Sequence, residues 1–261
     1  MFWEMDQAET VMKWYREFIA QAPDELNGFF AFLTVPPVPM FPEHLHLRKM
    51  CGIVWCHCGG PRKASKALKP AREFLKPAFE HVGPMPYPVL QSVFDPLYPP
   101  GLQWYWKADF VKTLSDESIR LNIEHAKGLP TVHSTTHMYP INGAVSRVAP
   151  DETAWSYRDA TWAQVIVGVD PDPANKDKLV EWARNYWDAL HPHSMGGAYV
   201  NFMMEGEGAD RVQSSYGANY DRLAAIKEKY DPANFFRVNQ NIPPARQVRS
   251  TYTVFPDTRV L

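Results

Sequence analysis

The sequence predicts an α+β fold, an antiparallel or mixed β-sheet with helices packed on one face. Strand-like and helix-like segments alternate along most of the 261 residues, and no segment repeats at a fixed period. Two strand-like segments, 26–35 and 47–58, follow each other with no helical pattern between them. Aromatic residues make up 13% of the chain, which excludes a disordered polymer because they supply a large buried apolar surface. This pattern is typical of α+β layer folds.

Strands are predicted where apolar residues alternate with polar ones or run continuously between turn residues. The predicted strands are 1–5, 26–35, 47–58, 102–111, 131–138, 162–169 and 198–203. The connection at 36–42 carries four prolines and is expected to be a stiff loop.

Helices are predicted where apolar residues recur at helical spacing behind a capping residue. Asp6 with Glu9 three positions later forms a candidate capping box, and Ser115 and Asp172 are candidate N-caps for later helices. Pro70 predicts a kink or a break in the second helix. The predicted helices are 6–22, 62–75, 115–128, 172–187 and 219–229.

Composition narrows the function classes. Lys and Arg total 27 against 29 Asp and Glu, and this net charge of −2 argues against binding to nucleic acid or to an anionic membrane surface. No apolar run approaches the length of a membrane span, and the first ten residues lack the features of a signal peptide. The three cysteines are odd in number and closely grouped, unlike a secreted disulfide framework, so a reducing cytoplasm is expected.

Several catalytic motifs are absent from the sequence. It contains no G-x-G-x-x-G, no P-loop and no G-x-S-x-G, so a Rossmann dinucleotide site and a serine hydrolase elbow are not predicted. Cys51, Cys56, His57 and Cys58 could bind a metal by residue type. Their spacing lacks the paired knuckles of structural zinc sites, and buried free thiols are the simpler interpretation.

The strand at 102–111 contains the most informative local pattern. Alternation places Trp104 and Trp106 on one face and Tyr105, Lys107 and Asp109 on the other. The tryptophan face is interpreted either as the floor of a pocket for a flat ligand or as ordinary sheet core.

Two histidines of the next predicted strand form a further candidate pair. His133 and His137 are predicted to lie on the same face of the segment 131–138. They are interpreted as catalytic groups or as hydrogen-bonded structural residues.

The most specific pattern lies near the C-terminus. Residues 216–244 read YGANYDRLAAIKEKYDPANFFRVNQNIPP, in which Asn219 is predicted to cap a helix that ends at Asp231. The chain is then expected to run extended, with Asn239 and Asn241 on one side of a strand. This stretch strongly resembles the C-terminal signature of the berberine bridge enzyme-like FAD-linked oxidoreductases. Weaker similarity to that family occurs at 106–110, 155–158 and 197–202.

The resemblance implies a fold and a division of labour. In this family an N-terminal domain binds FAD, often covalently through a His and a Cys, and a second part lies over the flavin ring and builds the substrate pocket. The chain resembles the second part only. It is therefore expected to comprise a substrate-binding domain at 1–205 and a C-terminal signature segment at 206–261 packed with the same unit. FAD would be supplied by a separate domain or a companion chain, so the chain is expected to be a truncated product or one subunit of a split enzyme.

The resemblance also implies roles for individual residues. Tyr157 matches a tyrosine that lines the active site near the flavin. Many family members carry a tyrosine that acts as general base at the position of Phe202, and phenylalanine cannot take a proton. Tyr157 is then the nearest candidate base, and Phe202 joins the two tryptophans as a candidate substrate contact. The candidate cofactor-binding residues are Tyr199, Asn201, Asn239 and Asn241.

The resemblance implies a hydride transfer from an alcohol or amine carbon to FAD, with dioxygen as the oxidant that regenerates the flavin. The chain alone is expected to have no catalytic activity. An alternative is a flavin-free α+β module that binds a small molecule or dimerises. A third hypothesis is a zinc enzyme that uses the region 51–58. If the flavin domain is absent, the uncovered sheet face is expected to favour a homodimer.

Overall fold

The computed structural model describes residues 1–246. Its strands are β1 (Phe2–Glu4), β2 (Leu26–Thr34), β3 (Lys49–His57), β4 (Gln103–Val111), β5 (Thr135–Pro140) and β6 (Trp162–Asp170). Its α-helices are α1 (Ala8–Ala20), α2 (Pro61–Phe74), α3 (Tyr87–Gln91), α4 (Asp116–Ala126), α5 (Ala144–Arg147), α6 (Lys176–Leu190), α7 (Ala209–Tyr216) and α8 (Tyr220–Tyr230). None of the helices in these residues is long and apolar enough to span a membrane.

The six strands form one sheet in the order β1-β3-β2-β5-β6-β4, and every neighbouring pair is antiparallel. β1 and β4 are therefore the two edges. The predicted α+β class is confirmed, and the sheet is antiparallel throughout rather than mixed.

Helices α1, α4 and α6 cover one face of the sheet, here called the helix face. α1 presents a buried stripe, Val11, Met12, Tyr15 and Ile19, at helical spacing. The ring of Tyr15 lies 6.2 Å from that of Phe30 in β2, centroid to centroid. Burying an aliphatic or aromatic side chain of this size contributes about 1.5–3 kcal/mol, so the stripe fixes α1 on the sheet.

A chain of buried hydrogen bonds joins α4, α6 and β6 beneath that face. Gln164 donates to the Asn122 side-chain oxygen at 2.7 Å, and the Tyr186 hydroxyl donates to the same oxygen at 2.8 Å. Ser115 caps α4 as predicted, because its hydroxyl accepts from the Ser118 amide at 3.0 Å.

Some local predictions are wrong. The capping box before α1 is formed by Glu4 and Gln7 rather than by Asp6 and Glu9, because a 3₁₀ turn follows β1 directly. The predicted break at Pro70 is also wrong, since α2 continues through it to Phe74.

The segments predicted to be strands near the candidate site also differ. Residues 198–203 form a loop with a 3₁₀ turn at Val200–Phe202, not a strand. No strand is assigned at Asn239 and Asn241 either. Asn239 has a φ of 57°, in the left-handed region, and the Asn241 amide donates to its carbonyl at 3.0 Å, which makes a turn. The C-terminal part of the segment 206–261, from residue 247, lies outside the described residues.

Candidate active site

The sheet face opposite the helices is rich in aromatic residues. Alternation along β4 places Trp104 and Trp106 on this face. In the neighbouring strand β6 they pair with Val169 and Val167. Loops before β4 and after α6 add further rings. We call this the aromatic face and define it as Phe29, Tyr98, Trp104, Trp106, His137, Tyr139 and Phe202.

The rings of the aromatic face form a continuous series. Ring centroids are 5.3 Å apart for Tyr98 and Trp104, 5.5 Å for Trp104 and Trp106, and 6.1 Å for Trp106 and Phe202. Tyr139 extends the series, because its ring stacks on Phe202 at 5.7 Å. These separations are typical of aromatic pairs in protein interiors. The rings provide a broad apolar surface on which a flat molecule can stack.

The rings of the aromatic face are more exposed than the phenylalanines of β2 on the helix face. Phe30 and Phe32, on the helix face, are each 1% exposed. All seven residues of the aromatic face are half-buried. Sequence alone left Trp104 and Trp106 as pocket floor or ordinary core, and their partial exposure favours the pocket floor.

Two polar side chains lie among these rings. The Nδ1 atom of His137 is 2.7 Å from the hydroxyl of Tyr139. Burial lowers the pKa of His137 to about 4 and raises the pKa of Tyr139 well above its usual range. Both groups are therefore uncharged at neutral pH. A neutral imidazole beside a hydroxyl can accept or pass a proton.

The sequence offered His137 as a catalytic or a structural residue but missed Tyr139, because the predicted strand stopped at 138. Extending the period-2 alternation by one residue puts Tyr139 on the same face as His137. His133 lies outside β5, in the loop that precedes it, so the two histidines do not share a strand face. That expectation is wrong. The loop instead brings the His133 carbonyl to the Tyr98 hydroxyl at 3.5 Å.

Tyr157 lies at the other end of β4, beside α7. Its hydroxyl donates to the Ser214 carbonyl at 2.6 Å, and its ring stacks on Phe110 at 4.7 Å. Burial raises the pKa of Tyr157. A base at this position would first have to give up its bond to Ser214, and the catalytic role of Tyr157 stays a prediction.

The predicted cofactor-binding residues gather on two adjoining loops. Asn201 donates to the Tyr199 hydroxyl at 2.6 Å, and the Tyr199 ring lies 5.2 Å from that of Phe202. Gln240 donates to the Met203 carbonyl at 3.1 Å, which brings Asn239 and Asn241, its chain neighbours, beside the first loop. Tyr199 is 42% exposed, so its ring is available to another molecule.

The cysteine region lies apart from the aromatic face. Cys51 is buried on the helix face, and burial raises the pKa of its thiol to about 12. Cys56 is half-buried and Cys58 exposed. Within residues 1–246, no group of three His, Cys, Asp or Glu side chains could hold a metal ion. A cleft of about 540 Å³ at the start of α2, lined by Cys58 and Arg62 among others, shares no residue with the aromatic face.

The comparisons with known proteins agree with the sequence signature. Residues 198–243 match the family model described as berberine and berberine like. The chain is 28% identical to the uncharacterized FAD-linked oxidoreductase YgaK of Bacillus subtilis, over 94% of this chain and 52% of that protein. It is 23% identical to the FAD-linked oxidoreductase DDB_G0289697 of Dictyostelium discoideum, over 71% of this chain and 41% of that protein. The chain thus spans about half the length of the curated relatives it matches.

Solved structures share the fold. Physcomitrella patens BBE-like 1 matches with a TM-score of 0.73 at 18% identity, over 94% of this chain and 53% of that one. 6-Hydroxy-D-nicotine oxidase from Arthrobacter nicotinovorans matches with a TM-score of 0.72 at 19% identity, over 92% of this chain and 53% of that one. The resemblance to berberine bridge enzyme-like FAD-linked oxidoreductases is confirmed, and it concerns about half of such a protein.

Proposed function

We propose that this chain is the substrate-binding and C-terminal half of an FAD-linked oxidoreductase that oxidises an alcohol or amine carbon. The observation that carries the proposal is the aromatic face, a half-buried set of rings on the side of the sheet opposite α1, α4 and α6. The curated relatives are about twice as long and are named for FAD. The remainder of such a protein would supply a FAD-binding domain, within one polypeptide or as a companion chain.

The residues present fit one side of a flavin ring. Tyr199 and Asn201 lie beside Phe202 with one exposed aromatic ring and one amide, groups that can stack on or hydrogen-bond to a flat heterocycle. The sequence has no glycine-rich motif for a pyrophosphate. We therefore assign contact with the flavin ring to Tyr199, Asn201, Asn239 and Asn241, and binding of the phosphates to the companion domain.

The chain's own residues would bind and orient the substrate. Trp104, Trp106 and Phe202 offer stacking surface, which holds a flat molecule and excludes water from its reacting carbon. When bound, FAD supplies the chemistry of hydride acceptance. A proton must also leave the substrate hydroxyl or amine, and it needs an acceptor.

Two groups compete for the role of proton acceptor. The family resemblance favours Tyr157, whose hydroxyl is bonded to a backbone carbonyl. The geometry favours Tyr139 with His137, because the neutral imidazole can take a proton passed through the tyrosine hydroxyl. We propose both as candidates, to be separated by substitution.

The remaining features of the proposal concern the whole chain. The substrate-binding domain at 1–205 and the segment from 206 pack as one unit, supported by the bonds from Tyr157 to Ser214 and from Gln240 to Met203. Three free cysteines support a reducing cytoplasm. Exposed apolar rings support a homodimer when the companion domain is missing.

A visible absorption spectrum tests the proposal. The purified chain, mixed with excess FAD and passed through gel filtration, should elute colourless. Mixed with the part of the Bacillus subtilis relative that lies outside the alignment, it should co-elute with flavin colour. Alcohols or amines added without oxygen should then bleach the complex. A yellow chain alone, or failure to form a complex, would contradict the two-part model.

Substitution of each tyrosine by phenylalanine then separates the two candidate bases. Tyr139→Phe and Tyr157→Phe each remove one hydroxyl and leave the ring. Substitution of the residue that accepts the proton should slow bleaching at saturating substrate by about 10²–10⁴-fold. Substitution of the other residue should change the rate of bleaching little. The bound-flavin spectrum serves as the folding control for both variants.

The second candidate function is a flavin-free binding module. Phe202 supports it, because the aromatic face lacks the tyrosine found there in many family members. Such a module would bind flat ligands on the aromatic face without a companion domain, and no complex would bleach. Quenching of tryptophan fluorescence by a ligand, lost in Trp106→Ala, would then be the only activity seen.

A further inference from the structure

Helix α7, which sequence analysis did not predict, contacts the loop that carries the proposed flavin-binding residues. Ser215 accepts a hydrogen bond from the Ala198 amide at 3.1 Å. Its hydroxyl also lies 3.2 Å from the sulfur of Met203. The loop 194–203 is therefore held at its middle and at its C-terminal end by one short helix.

The same loop lies along the edge of the sheet. The Met195 amide donates to the Phe110 carbonyl at 2.8 Å, and the Phe110 amide donates to the Gly197 carbonyl at 2.7 Å. β4 is an edge strand, so its outer side is free to bond the loop. Only two loop residues, Met195 and Gly197, make these bonds. The rest of the loop, with Tyr199, Asn201 and Phe202, continues from this attachment.

Arg211 of α7 reinforces this attachment of the loop to β4. Its guanidinium donates to the Gly196 carbonyl in the loop at 2.5 Å and to the Asp109 carboxylate in β4 at 2.7 Å. It also donates to the Ala108 carbonyl. The side chains of Arg211 and Asp109 are 11% and 5% exposed, so the pair is little screened by water.

A second ion pair runs parallel to the first. Lys107, two residues before Asp109 on the same face of β4, donates to Glu207 at 2.9 Å and 3.0 Å. The Trp187 ring of α6 lies 4.9 Å from the Lys107 ammonium and 5.4 Å from the Arg211 guanidinium. In β4 the base Lys107 precedes the acid Asp109, and in the segment opposite the acid Glu207 precedes the base Arg211. The two ion pairs together orient α7 on β4.

The groups that face the Asp109 carboxylate are Arg211 and His191, whose Nδ1 atom is 3.1 Å away. Removing Arg211 would leave a buried carboxylate with the histidine as its partner. A buried charge that loses its partner destabilises the fold, so charge balance alone predicts an effect of mutation. The experiment must separate charge balance from positioning.

We propose that Arg211 is a positioning residue, which joins β4 to the Gly196 carbonyl and so fixes the loop 194–203 over the aromatic face. Its functional consequence rests on the proposed function, because the loop carries Tyr199, Asn201 and Phe202. The positioning itself is a property of this chain alone. Fork-shaped, planar donors suit such a contact, because one guanidinium reaches two acceptors at once.

Hydrogen exchange of the purified chain tests the proposal. In Arg211→Met, the amides of Met195 and Ala198 should exchange about tenfold faster or more, while the β2 amides should not change. Arg211→Lys restores the charge but not the fork, so it should recover thermal stability without recovering protection of the loop. Arg222→Met is the matched control, since Arg222 of α8 is exposed and donates to the Asp151 carbonyl.

A double variant separates positioning from charge balance if Arg211→Met folds poorly. Arg211→Met with Asp109→Asn removes the buried charge, and it should restore melting temperature while the loop stays unprotected. If Arg211→Lys or the double variant protects the loop as well as the native chain, Arg211 only balances charge and the proposal is wrong. Failure to bind the FAD-binding companion would instead count against the proposed function, because exchange is measured without flavin.

Discussion

At the residue scale, His137 shows how burial sets the chemistry of this site. The imidazole is surrounded by Phe29 and Tyr139, with ring centroids 4.8 Å and 5.5 Å away. These rings reduce the water that would stabilise a positive charge, so the neutral form is favoured. The site thus holds a neutral base at a pH where an exposed histidine would be partly charged.

This environment predicts a pH dependence of stability. The pKa of His137 falls from the usual 6.5 to about 4 in the folded chain. Between pH 6.5 and pH 4, His137 is therefore protonated in the unfolded chain but mostly neutral in the folded chain. Stability is fully present above that pH and is lost as pH falls towards 4, by up to about 3 kcal/mol at about 1.4 kcal/mol per unit.

Urea unfolding at pH 7 and pH 4.5 measures the effect. His137→Gln should lower stability at pH 7 and reduce the loss on acidification, since glutamine does not titrate. His44→Gln is the control, because His44 is exposed in the turn Glu43–Leu45, away from the aromatic face. Parallel pH profiles for His137→Gln and the native chain would mean that the ring is solvated.

At the element scale, the edge loop and Tyr157 depend on one small residue. A Cβ atom added at Gly197 would lie 2.2 Å from the Tyr157 hydroxyl and 2.3 Å from its Cζ atom. The Tyr157 ring is held by Phe110 on one side and by the Ser214 carbonyl, so it has little room to move. Glycine at 197 therefore permits the tyrosine and the loop to pack together.

Gly197→Ala is expected to destabilise the chain by about 1–3 kcal/mol, the usual cost of overpacking. It should also break the bond from Tyr157 to Ser214. Gly60→Ala is the matched control, because no atom lies within 4 Å of a Cβ added there. Thermal unfolding of both variants gives the answer, and equal melting temperatures would show that the tyrosine ring moves away freely.

The elements differ in how well the sequence predicts them. The alternation in β4 was sufficient to put Trp104 and Trp106 on one face, because strand periodicity is a local property. The segment 198–203 has strand-like composition, yet its amides bond to the loop itself and to α7, so tertiary contacts override propensity. α7 buries little more than Val212 and Ser215, a pattern too weak to detect.

Hydrogen bonds between residues that are distant in sequence likewise could not be predicted for the site. Nothing near Tyr157 indicates that its hydroxyl meets Ser214, 57 residues away. Asp109 and Arg211 are likewise 102 residues apart. The family signature at the C-terminus predicted the type of protein, whereas the hydrogen-bond partners required the fold.

At the scale of the whole molecule, residues 1–246 expose a group of apolar side chains near their C-terminal end. We define the C-terminal apolar patch as Ile226, Tyr230, Phe235, Phe236 and Val238. Phe235 and Phe236 are 78% and 73% exposed, with rings 5.1 Å apart. Contiguous exposed rings of this kind mark interaction surfaces. In the proposed enzyme a companion domain would cover them.

Without that companion, the patch is expected to drive self-association. The backbone that presents it is held independently of the rings, because the Phe235 and Phe236 amides donate to the Asp231 carboxylate at 2.8 Å and 3.0 Å. Replacing both rings by serine should therefore weaken association about tenfold or more without changing the melting temperature. Each ring removed from such a contact is worth about 1–2 kcal/mol or more of association free energy.

Sedimentation equilibrium over a range of concentrations measures this directly, with Tyr87→Ser as control because Tyr87 is 72% exposed and lies in α3, outside the patch. If the control weakens association as much as the double variant does, the contact is made through α3 rather than through the C-terminal apolar patch. If the double variant also stops the complex with the FAD-binding companion, the same rings serve both contacts. Self-association and assembly would then be mutually exclusive, and the isolated chain would dimerise through the surface that its companion needs.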